Sequence, residues 1–138
     1  MGLNETCLSA VTRSDESLLG ACTPSDSVFF FKTHKTASSS VQNIVYRYGY
    51  GRGLAFLLPD GAGHPTNYFG HPRPFDPSMV LEQYSMGRDV YDAYAEHARL
   101  NVSGFKAVVN PDAVWFTVLR DPAEAFDSMY HYHGISNK

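Results

Sequence analysis

The chain has 138 residues and a mass of 15.3 kDa, room for one domain rather than two. Hydrophobic residues make up 43% and charged residues 18%, so a core can form and intrinsic disorder is excluded by composition. A formal charge of -3 excludes a generally basic nucleic-acid binder but leaves room for a local basic pocket.

Residues 1–27 are polar and read as an irregular leader without a signal-peptide core. Cys7 and Cys22 both lie in it, and two cysteines cannot build a zinc motif. They are either a disulfide or two free thiols. Sequons stand at Asn4 and Asn101. Val28-Phe29-Phe30-Phe31 predicts a buried strand, and Lys32 to Thr36 a polar turn after it. Val41, Ile44, Val45 and Tyr48 then fall at helical spacing, with Gly49, Gly51 and Gly53 expected to end that helix. Leu54 to Leu58 predicts a second strand, and the proline-rich residues 59–78 a long irregular loop. Val90 to Ala95 predicts a third strand, and Phe105, Val108 and Val109 a short helix. Val114 to Leu119 predicts a strong strand. Asp121, Pro122 and Glu124 then read as N-cap, first helical residue and capping-box partner. Phe126, Met129, Tyr130 and His133 form the apolar stripe of that last helix. Alternating strands and helices predict an α/β fold with a mostly parallel sheet. No run reaches the roughly 18 apolar residues of a membrane span.

Two loops carry chemistry. The first, Lys32-Thr33-His34-Lys35-Thr36-Ala37-Ser38-Ser39-Ser40, joins a strand to a helix. A helix start attracts an anion through its free N–H groups and its dipole. Lys35 adds a charge, and Thr36, Ser38, Ser39 and Ser40 add hydroxyl donors. The logic is that of a P-loop, but the Walker glycines are missing, which disfavours an ATPase or kinase. The same residues also fit a Ser/Thr-rich helix start with a solvated lysine. The second loop is Arg120-Asp121-Pro122 with Ser128 two turns on. A guanidinium at the carboxyl edge of a sheet suits bidentate phosphate binding. An Arg–Asp surface pair with a helix serine is the alternative. Taken together, the two loops fit a ligand with two separated anionic groups.

Phe31 to Ser39 resembles the 5′-phosphosulfate loop of the galactose-3-O-sulfotransferases, and Val118 to Pro122 with Ser128 resembles their 3′-phosphate motif. Asn43 to Tyr48, Leu57 to Gly61 and His97-Ala98-Arg99 are similar to the family in the same order. The resemblance runs from about Cys22 to Tyr132. It implies a P-loop-like sulfotransferase fold, incomplete here, with residues 28–138 as part of that domain. It implies 3′-phosphoadenosine 5′-phosphosulfate as co-substrate, with no metal. The acceptor implied is the 3-hydroxyl of a terminal β-galactose, on a glycolipid of the galactosylceramide type or on a glycan. By the same match Lys35, Thr36, Ala37, Ser38, Ser39 and Ser40 hold the 5′-phosphosulfate, and Arg120 and Ser128 the 3′-phosphate. Lys35 acts catalytically on the leaving phosphate oxygen. His97 is favoured as base over His34, His64, His71, His131 and His133. Glu96 is expected to raise the pKa of His97 or to alter acceptor choice. The resemblance further implies a Golgi-lumenal type II protein, held to the membrane only through an anchor absent from this chain. A nucleotide-binding module without turnover is the alternative function.

Overall fold

The computed structural model describes residues 25–60 and 68–135. Nearly all of the expected leader, with Cys7, Cys22 and the Asn4 sequon, lies outside the described residues, as does His64.

The chain forms β1 (Val28–Phe31), α1 (Ser38–Arg52), β2 (Tyr68–Pro74), β3 (Ala93–Tyr94) and β4 (His97–Arg99). Then follow α2 (Val102–Lys106), β5 (Val114–Thr117) and α3 (Pro122–Tyr132). One sheet has the order β3-β1-β5 with both pairings parallel; β2 and β4 form a second parallel pair. This is the mixed α/β fold with helices beside parallel strands that the alternation of elements predicts.

The four residues of β1 set the layers. Side chains alternate across a strand, so Phe29 and Phe30 face opposite sides. Phe29 enters an aromatic cluster, stacked on Tyr94 at 4.2 Å and edge-on to Phe105 at 5.1 Å. Phe30 packs with Val45 and Ala95 beneath α1. Lys32 shares the parity of Phe30 and therefore runs toward α1, where it is buried.

Helix α1 runs through Gly49 and Gly51 to Arg52 and stops at Gly53, which takes φ 63. Its buried face is Ser38, Val45 and Gly49, whereas Ile44 is exposed. Gly49 lies buried within the helix, and its lack of a side chain lets the helix pack there: a Cβ would stand 2.6 Å from the Phe56 ring.

Leu54 to Leu58 is no regular strand. It lies beside β3 and makes one bridge, Phe56 to Ala93, with Leu57 N–H donating to the Ala93 carbonyl at 2.9 Å. Strand β2 occupies the expected loop, and its register is broken between Phe69 and Pro74. The short helix begins at Asn101, earlier than expected. Asn101 caps it through Oδ1, and its Nδ2 donates to the Phe75 carbonyl at 3.0 Å. The amide of this sequon is thus committed at both ends. On α3, Asp121 caps as expected, accepting from the N–H groups of Ala123 and Glu124 at 3.0 and 3.1 Å. Glu124 instead pairs with Arg120, at 3.1 Å. None of the residues of α3 is buried, and Phe126 is exposed rather than on an apolar seam. All four residues of β5 are likewise exposed in part.

Asp92 ties this frame together. Its buried carboxylate accepts from Ser27 Oγ, the Ala55 N–H, Asn110 Nδ2 and Arg88 Nη1. Burial pushes its pKa up, but these partners outweigh burial and hold it below the usual carboxylate range.

Candidate functional site

The loop after β1 folds back on itself through its threonines. Thr33 Oγ1 donates to the Val118 carbonyl at 2.7 Å and lies 2.9 Å from Thr36 Oγ1. This bond joins the first loop to the end of β5, where the second loop starts. Lys35 and Ala37 both take left-handed backbone angles, φ 59 and φ 56. Such angles are costly for non-glycine residues and concentrate at ligand-binding turns. Ala37 is the N-cap of α1, so no side-chain oxygen caps the first turn, and no acidic residue stands in it. A fifteen-residue helix therefore presents its positive end to a loop bearing Lys35 and Lys32.

A cavity of about 360 Å³ opens in front of this helix end. Lys35, Thr36, Ala37, Ser38, Ser39 and Ser40 all line it, and so does His97 from β4. The expected phosphosulfate loop and the expected base thus share one space. Arg120 approaches from the second loop: its Nη1 donates to the Lys35 carbonyl at 3.3 Å and its Nε meets Glu124. Ser128 is half-buried on α3 and does not line the cavity. The structure therefore groups Lys35 to Ser40 with His97, brings Arg120 to their edge, and leaves Ser128 apart.

Histidine geometry separates the candidates. His97 Nδ1 lies 3.1 Å from the Lys32 carbonyl, so it carries the proton and donates. That leaves Nε2 as the acceptor. Burial, then the charges of His34 and Lys32, push the His97 pKa down to about 4, so the ring is neutral at pH 7. The expected upward pull of Glu96 is overturned, because those effects win and the Glu96 carboxyl faces Gln42 rather than His97. His34 stacks on His97 at 4.2 Å and is also shifted down, by burial first and then by His71, His133 and Lys32. His71 is exposed on β2, and His131 pairs with Asp127 at the surface.

Several site residues were not singled out from the sequence. Met129 and Tyr132 line the cavity from α3, and the exposed His133 lines it from the C-cap. The Lys35 ammonium sits 4.1 Å from the centre of the Tyr132 ring. Behind the loop, Lys32 Nζ donates to Gln42 Oε1 at 2.7 Å, and Gln42 Nε2 donates to Glu96 Oε1 at 2.8 Å. Glu96 is 2% exposed, and its Oε2 has no hydrogen-bond partner among the described residues. Burial raises its pKa to about 7 against the opposing pull of Lys32 and Gln42. One signal was available: Lys32 follows three phenylalanines on the parity of Phe30.

This arrangement can bind an anion at the helix end, neutralise charge with lysine and take a proton on a neutral imidazole. The residues present fit a phosphosulfate: helix amides, hydroxyls and a cation converge without a carboxylate in the first turn. Among the described residues no group of three or more His, Cys, Asp or Glu is placed to hold a metal, and no helix is long and apolar enough to cross a membrane.

Comparison with known proteins gives the same direction. The galactose-3-O-sulfotransferase family model matches residues 3–136. Human galactosylceramide sulfotransferase is 38% identical over 125 residues, 91% of this chain and 28% of that protein. The bovine galactosylceramide sulfotransferase is 40% identical over 115 residues, 83% of this chain and 26% of that protein. Human galactose-3-O-sulfotransferase 4 is 33% identical over 118 residues, 83% of this chain and 23% of that protein. No solved structure matches. The chain spans about a quarter of the length of these relatives. With the family model matching nearly its whole length, the chain belongs to the galactose-3-O-sulfotransferase family.

Proposed function

We propose that this chain carries the donor-binding part of a sulfotransferase acting in the Golgi lumen. The co-substrate is 3′-phosphoadenosine 5′-phosphosulfate, and the acceptor is the 3-hydroxyl of a terminal β-galactose. That galactose is borne by a glycolipid of the galactosylceramide type or by a glycan. The observation that carries this reading is the shared cavity: Lys35 and the open start of α1 face the same space as the neutral His97.

The co-substrate supplies an activated sulfuryl group, whose transfer is an in-line displacement. Thr36 to Ser40 orient the anion through hydroxyls and the helix end. Lys35 offsets the negative charge that grows on the departing phosphate oxygen, an interaction stronger in the transition state than before it. His97 Nε2 takes the proton of the sugar hydroxyl while Nδ1 is held by the Lys32 carbonyl. Arg120 meets the 3′-phosphate from the edge of the first loop, with Ser128 beyond it. For Arg120 this requires exchanging the exposed Glu124 contact for the phosphate.

The test is sulfate transfer from labelled co-substrate to galactosylceramide. Lys35→Ala should lower the rate about 10²–10³-fold, and His97→Ala about 10²–10⁴-fold. Equal transfer by the variants contradicts these roles. Nucleotide binding without any transfer favours the second reading, a binding module without turnover. The observation on that side is the exposure of α3, which leaves the Ser128 side of the site open.

A further inference from the structure

The acceptor side of the cavity has a wall that the donor-binding residues do not use. Strand β2 pairs with β4 so that Tyr68 stands directly beside His97. Three rings result, nearly parallel: His34 on His97 at 4.2 Å and 9°, and Tyr68 on His97 at 4.8 Å and 16°. All three residues line the cavity. Parallel rings in contact lie about 3.5 Å apart, so a centre separation of 4.8 Å means Tyr68 is slid about 3 Å past His97. His97 therefore covers the tyrosine ring only in part; His34 at 6.1 Å and His71 edge-on at 6.4 Å are its other ring neighbours, and the residue keeps 37% of its surface.

A flat aromatic face next to a free imidazole nitrogen is complementary to a sugar. In β-galactose the axial 4-hydroxyl points to one face, and the hydrogens of C3, C4 and C5 gather on the other as an apolar patch. That patch packs on an aromatic face, while hydroxyls at its rim meet polar groups. We propose that Tyr68 seats the acceptor pyranose by stacking on its apolar face, placing a ring hydroxyl at the edge of His97. The inference rests on the acceptor class proposed above and adds the residue that recognises it. Tyr68 is a substrate-positioning residue carried by β2, a different element from Lys35 and the start of α1, which bind the donor.

The experiment uses the 138-residue chain, with methyl β-galactoside as probe and saturation-transfer NMR as readout, and folding of each variant checked by circular dichroism. In the unsubstituted chain the strongest transfer should fall on H3, H4 and H5 of the sugar. Tyr68→Ala and Tyr68→Leu should weaken galactoside binding by about tenfold or more, and Tyr68→Phe by less than about threefold. Binding of 3′-phosphoadenosine 5′-phosphate should be equal in all four proteins. Galactoside binding that survives Tyr68→Ala overturns the proposal, as does absence of galactoside binding or transfer spread evenly over the ring. Tyr68-dependent galactoside binding in a chain that fails to bind the nucleotide upholds the stacking site and contradicts the donor assignment. Nucleotide binding lost on Lys35→Ala, with galactoside indifferent to Tyr68, does the reverse.

Discussion

Glu96 and His97 are neighbours with opposed linkage to pH, and Glu96→Gln isolates the carboxyl. In the folded chain the Glu96 carboxyl is raised from 4.5 to about 7 by burial. Between those values the folded state holds a proton that the unfolded state has released. Glu96 therefore stabilises the fold fully below about pH 4.5, and the gain is lost as pH rises through about 7. At 1.36 kcal/mol for each pH unit, the loss between pH 5 and pH 8 is about 2–3 kcal/mol. Exposure takes nothing from this, since Glu96 is 2% exposed. His97, lowered from 6.5 to about 4, works the other way: its contribution is present above 6.5 and is lost as pH falls through about 4. In the unsubstituted chain the two slopes oppose each other between about pH 4.5 and 6.5. Glu96→Gln removes only the carboxyl, so the His97 slope cancels in the comparison. Urea unfolding at pH 5 and pH 8 gives the change in stability for each protein. The variant should gain about 2–3 kcal/mol on the unsubstituted chain over that interval. Parallel pH profiles for the two proteins would refute the placement of Glu96 in the core behind the loop.

Asp92→Ala should destabilise the fold by about 3 kcal/mol, measured by urea unfolding at pH 7, because four donors lose one buried acceptor. The unsubstituted chain should lose this contribution as pH falls below 3.8 toward the depressed Asp92 value, and the variant should lack that limb. Asn101→Ala should cost about 1–2 kcal/mol through loss of the α2 cap and the bond to Phe75. Asn101→Ser, which can still cap, should recover part of it.

Much of the frame was legible because its signals are local. The aromatic run at 28–31 has strand length, and Asp121-Pro122 starts a helix on its own chemistry. The loop from Lys32 to Ser40 was legible as a polar, hydroxyl-rich string between a strand and a helix. What was hidden depends on contacts between distant segments. Gly49 reads as a stop signal, yet it is a packing glycine inside the helix, where Phe56 fills the place of a side chain. Gly70, Pro72 and Pro74 read as a loop, yet pairing with His97 and Ala98 makes that segment a strand on the edge of a two-stranded sheet. Leu54 to Leu58 has strand composition, yet only one bridge is available beside the two-residue β3. Charge neighbours were misread for the same reason. Glu96 adjoins His97 in sequence, but its carboxyl accepts from Gln42, 54 residues away, while the His97 ring bonds the Lys32 carbonyl. The α3 contribution to the site, Met129 and Tyr132 with His133 at the C-cap, carries no motif and emerges only from the approach of that helix to Lys35.

The central claim is that the loop after β1 and the turn after β5 form one site for a nucleotide with two anionic ends. Calorimetric titration of the chain with 3′-phosphoadenosine 5′-phosphate tests it most directly, with Lys35→Ala and Arg120→Ala beside it. The account predicts micromolar binding that both substitutions abolish, each acting at its own end of the ligand. A folded chain that binds no nucleotide, or binding that neither substitution weakens, would contradict it.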